Sequence, residues 1–140
     1  MQGKFSWVPS LSVGNDELDK QHQQLLEHIN MLITEVSGGA SQSGAIEQAL
    51  HFLDRYIDEH FKDEEEYMRR HEYDQTEAHS VMHRAFIDRY VKMKEYILRF
   101  GSTERAVSEL ELHLAHWWVD HIGTADKRYA DFIKEREKMF

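Results

Sequence analysis

His60-Phe61-Lys62-Asp63-Glu64, followed after a polar link by His79-Ser80-Val81-Met82-His83, sets two pairs of potential metal ligands at one spacing. Within a helix, residues i and i+4 lie on one face, a turn apart. Each pair can therefore offer two donor atoms to one site. Imidazole nitrogen with carboxylate oxygen suits iron, zinc or manganese better than calcium or magnesium. A single pair is weak, because two histidines four apart arise by chance on polar helix faces. Two pairs on consecutive helices, both continuing apolar stripes, point to a buried site, and the flanking sequence tests whether they converge.

Working outward, the stripe Ile46, Leu50, Leu53, Ile57, His60, Glu64 and Met68 predicts a helix over 45–70. His79, Met82, His83, Phe86, Tyr90, Met93 and Ile97 predict another over 75–100, with Gly101 as its stop. Upstream, Asn15 and Asp16 are capping residues ahead of Leu18, His22, Leu25, Ile29, Leu32 and Val36, a helix over 16–36. Ser37 to Gly44 reads as a loop. Downstream, Ser102 or Thr103 caps a fourth helix carrying Val107, Leu110, Leu114, Trp117, Trp118 and His121. Gly123 is expected to break that helix, leaving a short C-terminal segment with Asp126, Tyr129, Phe132 and Ile133. Residues 1–15 form an irregular arm whose Phe5, Trp7, Val8, Leu11 and Val13 are expected to pack on the body. The expectation is one all-α domain over 1–140. It consists of the arm and an up-down-up-down antiparallel four-helix bundle over 16–133.

Composition narrows the function. The 140 residues suffice for one domain with a real core. The formal net charge of −9 argues against nucleic acid and anionic membranes as partners. The chain has no cysteine, which excludes disulfides, thiolate metal sites and cysteine nucleophiles. Neither a signal-peptide core nor an apolar run of spanning length is present, so the expected location is cytoplasmic.

The bundle topology supplies the convergence test. His22 is early in the first helix, and His60 and Glu64 are late in the second. His79 and His83 are early in the third, and His121 and Asp126 are late in the fourth. In an antiparallel bundle these positions share one end, so the chain is expected to gather seven ligands in one interior layer. A buried carboxylate without a partner costs several kcal/mol. Two metals, with carboxylates shared between them, satisfy such a layer. His28, His51, His71, His113 and His116 fall off these faces and are expected to be peripheral, as is Glu65, on a different face from Glu64. A zinc peptidase needs His-Glu-x-x-His, but Ser80 follows His79. Ferritin-like di-iron proteins need Glu-x-x-His, which this chain lacks.

Four stretches in order then resemble the hemerythrin family, particularly its single-domain bacterial members, over about residues 7–133. They are Trp7 with Ser12-Val13-Gly14 and Leu18-Asp19-Lys20-Gln21-His22; His60-Phe61-Lys62-Asp63-Glu64-Glu65; His79-x-x-x-His83-x-x-Phe86; and Trp117-Trp118-Val119-Asp120-His121-Ile122 with Asp126. The resemblance implies two iron ions of unequal ligation. His79, His83 and His121 would hold one and His22 and His60 the other, with Glu64, Asp126 and an oxo or hydroxo group as bridges. It implies reversible dioxygen binding at the two-histidine iron, in a carrier, store or sensor module instead of an enzyme. The alternative is a di-iron oxidase, peroxidase or nitric-oxide-handling protein. Leu25, Phe61, Trp117, Trp118 and Ile122 would line the oxygen pocket, small anions such as azide would also enter, and the chain would be a monomer. Two departures from the family pattern stand out: Asp74 follows Tyr73 where proline is frequent, and Trp118 stands where leucine is usual.

Overall fold

The structure, a computed structural model, describes residues 6–38, 45–101 and 103–139. Helix α1 is Asp16–Ser37, α2 is Ala45–Arg70 and α3 is Thr76–Phe100. A fourth rod runs without a break through α4 (Glu104–Leu110), a π turn (Glu111–Ala115), α5 (His116–His121), a second π turn (Ile122–Asp126) and α6 (Lys127–Met139). The four rods make the expected all-α bundle, and among the described residues no helix is long and apolar enough to cross a membrane.

Local chemistry fixes the helix ends. The Asn15 side chain accepts from the Leu18 amide at 3.0 Å, and Thr103 Oγ1 accepts from Ala106 at 3.1 Å, each satisfying an amide the helix leaves open. Gly101 ends α3 at φ +78°, a conformation that costs a side chain-bearing residue energy. Of the loop expected over 37–44, Ser37 instead closes α1, and residues 39–44 lie outside the described residues, as do Ser102 and Phe5. In the arm, Pro9–Leu11 forms one 3₁₀ turn, Leu11 and Val13 are buried, and Val8 is exposed. Asp19 ties the arm down: its carboxylate accepts from Ser12 Oγ at 2.5 Å and from the Val13 amide at 2.8 Å.

Gly123 does not break the fourth helix, contrary to expectation. It sits inside the second π turn, and a Cβ there would meet Leu11 Cδ2 of the arm at 3.4 Å. The rod continues through the glycine, and the extra residue is absorbed by widening one helical turn.

Two apolar clusters fill the interior. The larger includes Leu25, Ile29, Leu53, Phe61, Phe86, Leu114, Trp118 and Ile122. The smaller holds Val13, Leu18, Met68, Tyr129 and Ile133. His22 lies between Leu18 and Leu25 along α1, Glu64 between Phe61 and Met68 along α2, and Asp126 between Ile122 and Tyr129. The polar layer is thus sealed by apolar side chains above and below.

Candidate metal centre

His22, His60, Glu64, His79, His83, His121 and Asp126 come together as expected, with side chains from every rod, and none is more than 5% exposed. They divide into two sets. Glu64, His79, His83, His121 and Asp126 form one, and His22, His60 and Glu64 the other. His28, His51, His71, His113 and His116 lie outside both; His28, for example, turns away to the Gln24 carbonyl at 2.8 Å.

The two carboxylates face both sets. Glu64 Oε1 is 2.9 Å from His83 Nε2 and 3.4 Å from His79 Nε2, while Oε2 is 3.0 Å from His22 Nε2 and 3.6 Å from His60 Nε2. Asp126 Oδ1 is 2.9 Å from His79 Nε2 and 3.0 Å from His121 Nε2, while Oδ2 is 3.1 Å from His22 Nε2. Each carboxylate therefore offers one oxygen to each group of histidines.

Asp126 reaches this position through the second π turn. At about 100° per residue, a spacing of five in an α-helix would turn it roughly 140° from His121. The turn at Ile122–Asp126 brings the two side chains back to one face.

Buried polar atoms at the centre lack hydrogen bonds. His60 Nε2, His83 Nε2, Glu64 Oε1 and both Asp126 oxygens have no such partner. His79 and His121 point their Nε2 atoms at each other across 3.1 Å. Orphaned lone pairs converging in an apolar interior are costly unless a cation receives them. Imidazole and carboxylate donors with no thiolate fit iron.

The electrostatics describe the same strain. Burial opposes charge on His22, but the Asp126 and Glu64 carboxylates outweigh it and raise its pKa to about 10. His79 is likewise raised to about 9 against its burial by Asp126 and Glu64. His60, fully buried, is pushed down to about 3 and stays neutral. Burial works against the charge of Glu64 and Asp126, yet the surrounding histidines hold both below the carboxylate range.

A family model described as the Hemerythrin HHE cation binding domain matches residues 13–133. The chain belongs to the hemerythrin family. It is similar to a bacteriohemerythrin of Stenotrophomonas maltophilia, 34% identical over 134 residues, covering 96% of this chain and 84% of that one. A bacteriohemerythrin of Pseudomonas aeruginosa is 32% identical over 128 residues, covering 91% and 80%. A myohemerythrin of Theromyzon tessulatum is 29% identical over 126 residues, covering 89% and 90%.

In this hemerythrin-family chain the two tryptophans have different surroundings. Trp118 is buried on the His22 and His60 side, its ring centroid 6.0 and 5.5 Å from theirs and 5.8 Å from that of Phe61. Its Nε1–H donates a long bond, 3.4 Å, to the His22 carbonyl. Trp117 is half-buried and stacks flat on His121 at 4.4 Å, against the other set of histidines. Leu25, Phe61 and Ile122 pack with Trp118 in the large cluster.

Three partners of the centre escape the sequence reading. Glu65, expected to be peripheral, accepts from His83 Nδ1–H at 2.8 Å. Gln21 Oε1 accepts from His60 Nδ1–H at 2.7 Å. The buried Tyr129 hydroxyl donates to Glu64 Oε2 at 2.9 Å. Tyr129 lies in an apolar stripe and reads as core. The position of Gln21 beside His22 and of Glu65 beside Glu64 was the available signal.

Proposed function

We propose that this chain binds dioxygen reversibly at a di-iron centre. His79, His83 and His121 would hold one iron and His22 and His60 the other, with Glu64 and Asp126 placed to be shared between them. The observation that carries this reading is the division of the two carboxylates, each with one oxygen toward each histidine group. When bound, an iron pair would supply the two electrons that dioxygen takes up.

The protein residues supply the selectivity. Three histidines on one side and two on the other leave the two-histidine side short of a donor. Trp118 packs its ring against both His22 and His60, and Phe61 lies against His60 and, more closely, His83, an apolar cover that keeps bulk water out. Every one of these side chains is at most 5% exposed, a burial that suits a small ligand such as dioxygen or azide. That burial favours a binding protein over an oxidase or peroxidase acting on organic substrates. The Tyr129 hydroxyl, Glu65 and Gln21 restrict the rotation of Glu64, His83 and His60.

The test is an oxygen cycle on the reduced protein. Air should raise a visible absorption band, and removal of oxygen should abolish it over repeated cycles. A single irreversible change, or steady oxygen consumption with a reductant, would favour the enzyme reading.

A further inference from the structure

We propose that Asp63, acting through Gln21, is a positioning residue that holds His60 with its Nε2 lone pair turned into the metal centre. The proposal rests on the reading of His60 as a ligand.

Three side chains form a line from solvent to the centre. Gln21 Nε2 donates to Asp63 Oδ2 at 2.9 Å, and Gln21 Oε1 lies 2.7 Å from His60 Nδ1. An amide can turn over, exchanging its donor and acceptor ends. The Asp63 carboxylate accepts hydrogen bonds and so selects the orientation with Nε2 toward itself. That leaves Oε1 facing His60, which must carry its proton on Nδ1. The Nε2 atom of the neutral ring is then free and points at Glu64 Oε2. The direction of one exposed carboxylate thereby fixes the tautomer of a histidine that is 1% exposed.

The shielding matters because water is close. Asn15, Gln21, Asp63, Glu66, Tyr67 and Arg70 line a groove of about 240 Å³ that meets the outer end of this line. Gln21, itself 7% exposed, stands between that groove and His60. Histidines of the other set are held differently: His83 Nδ1 faces Glu65 directly, with no intervening amide. His22 Nδ1 has no hydrogen-bond partner. The two-histidine side thus depends on His60 for its only backed imidazole.

The experiment uses the full-length, iron-loaded protein and compares Asp63→Asn, Asp63→Glu, Gln21→Leu and Glu66→Gln. Glu66 lines the same groove without joining the line. Iron release to a chelator is followed after two irons per chain have been established in the parent, so failure of the di-iron reading is seen first. Asp63→Asn and Gln21→Leu should release their first iron about ten times faster, in line with the usual effect of losing such a partner. Asp63→Glu should recover the parent rate, and Glu66→Gln should match it, with thermal midpoints unchanged for the Asp63 and Glu66 variants. In zinc-loaded protein carrying ¹⁵N-histidine, solvent exchange of the His60 Nδ1–H should speed up in Asp63→Asn and return to the parent rate in Asp63→Glu. Parent-like release and exchange in Asp63→Asn, or an Asp63→Glu variant as fast as Asp63→Asn, would overturn the proposal.

Discussion

His121 Nε2 lies 3.0 Å from Asp126 Oδ1, although the two residues are five apart on one continuous helical rod. The π turn between them makes that contact possible, and it carries a prediction about length. Inserting one alanine after Thr124 should rotate Asp126 and Tyr129 by roughly 100° relative to His121 and remove them from the centre. Deleting Thr124 should restore α-helical spacing of four, which keeps both on the ligand face. Metal analysis should find iron lost in the insertion and retained in the deletion. Equal iron in both would show that the π turn is incidental.

Glu64 and Glu65 are adjacent but play unlike parts. Glu64→Ala should lose one or both irons, because both histidine groups lose a shared oxygen. Glu65→Gln should keep two irons and release them faster, since a neutral amide still accepts from His83 but polarises it less. Two irons held at the parent rate in Glu64→Ala would remove Glu64 from the bridge.

Trp118 packs its indole over His22 and His60. Trp118→Leu should open space on that side and speed azide binding to the oxidised protein. Trp117→Leu strips a stacked ring from His121 and should mainly lower stability, by about 1–3 kcal/mol. Stopped-flow azide binding with a thermal midpoint for each variant checks both. Unchanged azide rates in Trp118→Leu at full iron content would show that this ring is not the gate.

The pH dependence has a definite sign. In the metal-free protein, burial is outweighed at His22 and His79, whose pKa values rise to about 10 and 9. Their stabilisation is complete below the unfolded value of 6.5 and is lost as pH rises through about 9 to 10. His60, depressed to about 3 by burial, and the depressed carboxylates Glu64 and Asp126 act on the other side. His60 contributes a loss as pH falls from 6.5 toward 3, and the carboxylates a loss as pH falls below their unfolded values. Metal-free protein should therefore be most stable near pH 6.5 by denaturant titration. Metal must displace the protons on His22 and His79, so loading should release protons near neutral pH and tighten as pH rises. Calorimetry in buffers of different ionisation enthalpy measures that release. No proton release at pH 7 would contradict the assignment.

The fold was legible because burial imposes periodicity. Each rod carries an apolar stripe, and His22, His60, Glu64, His79, His83 and His121 continue those stripes as only buried polar residues with a common partner would. Asp126 was legible from its place late in the fourth helix, but its approach to His121 was not. Glycine at 123 signals a helix end in sequence, whereas here it sits inside a π turn of a continuous rod. Gln21 and Glu65 were missed for a related reason. Their partners, His60 and His83, belong to other helices, and periodicity along one helix says nothing about hydrogen bonds between helices. Tyr129 hid in an apolar stripe because its ring is core and only its hydroxyl reaches Glu64.

The bridging role of Glu64 and Asp126 is tested most directly by X-ray diffraction from crystals of the iron-loaded protein at the iron absorption edge. The account predicts two iron peaks per chain. One should lie beside His79, His83 and His121 and the other beside His22 and His60, with Glu64 and Asp126 each giving one oxygen to each iron. A single peak, or two peaks with both oxygens of either carboxylate on one iron, would contradict it.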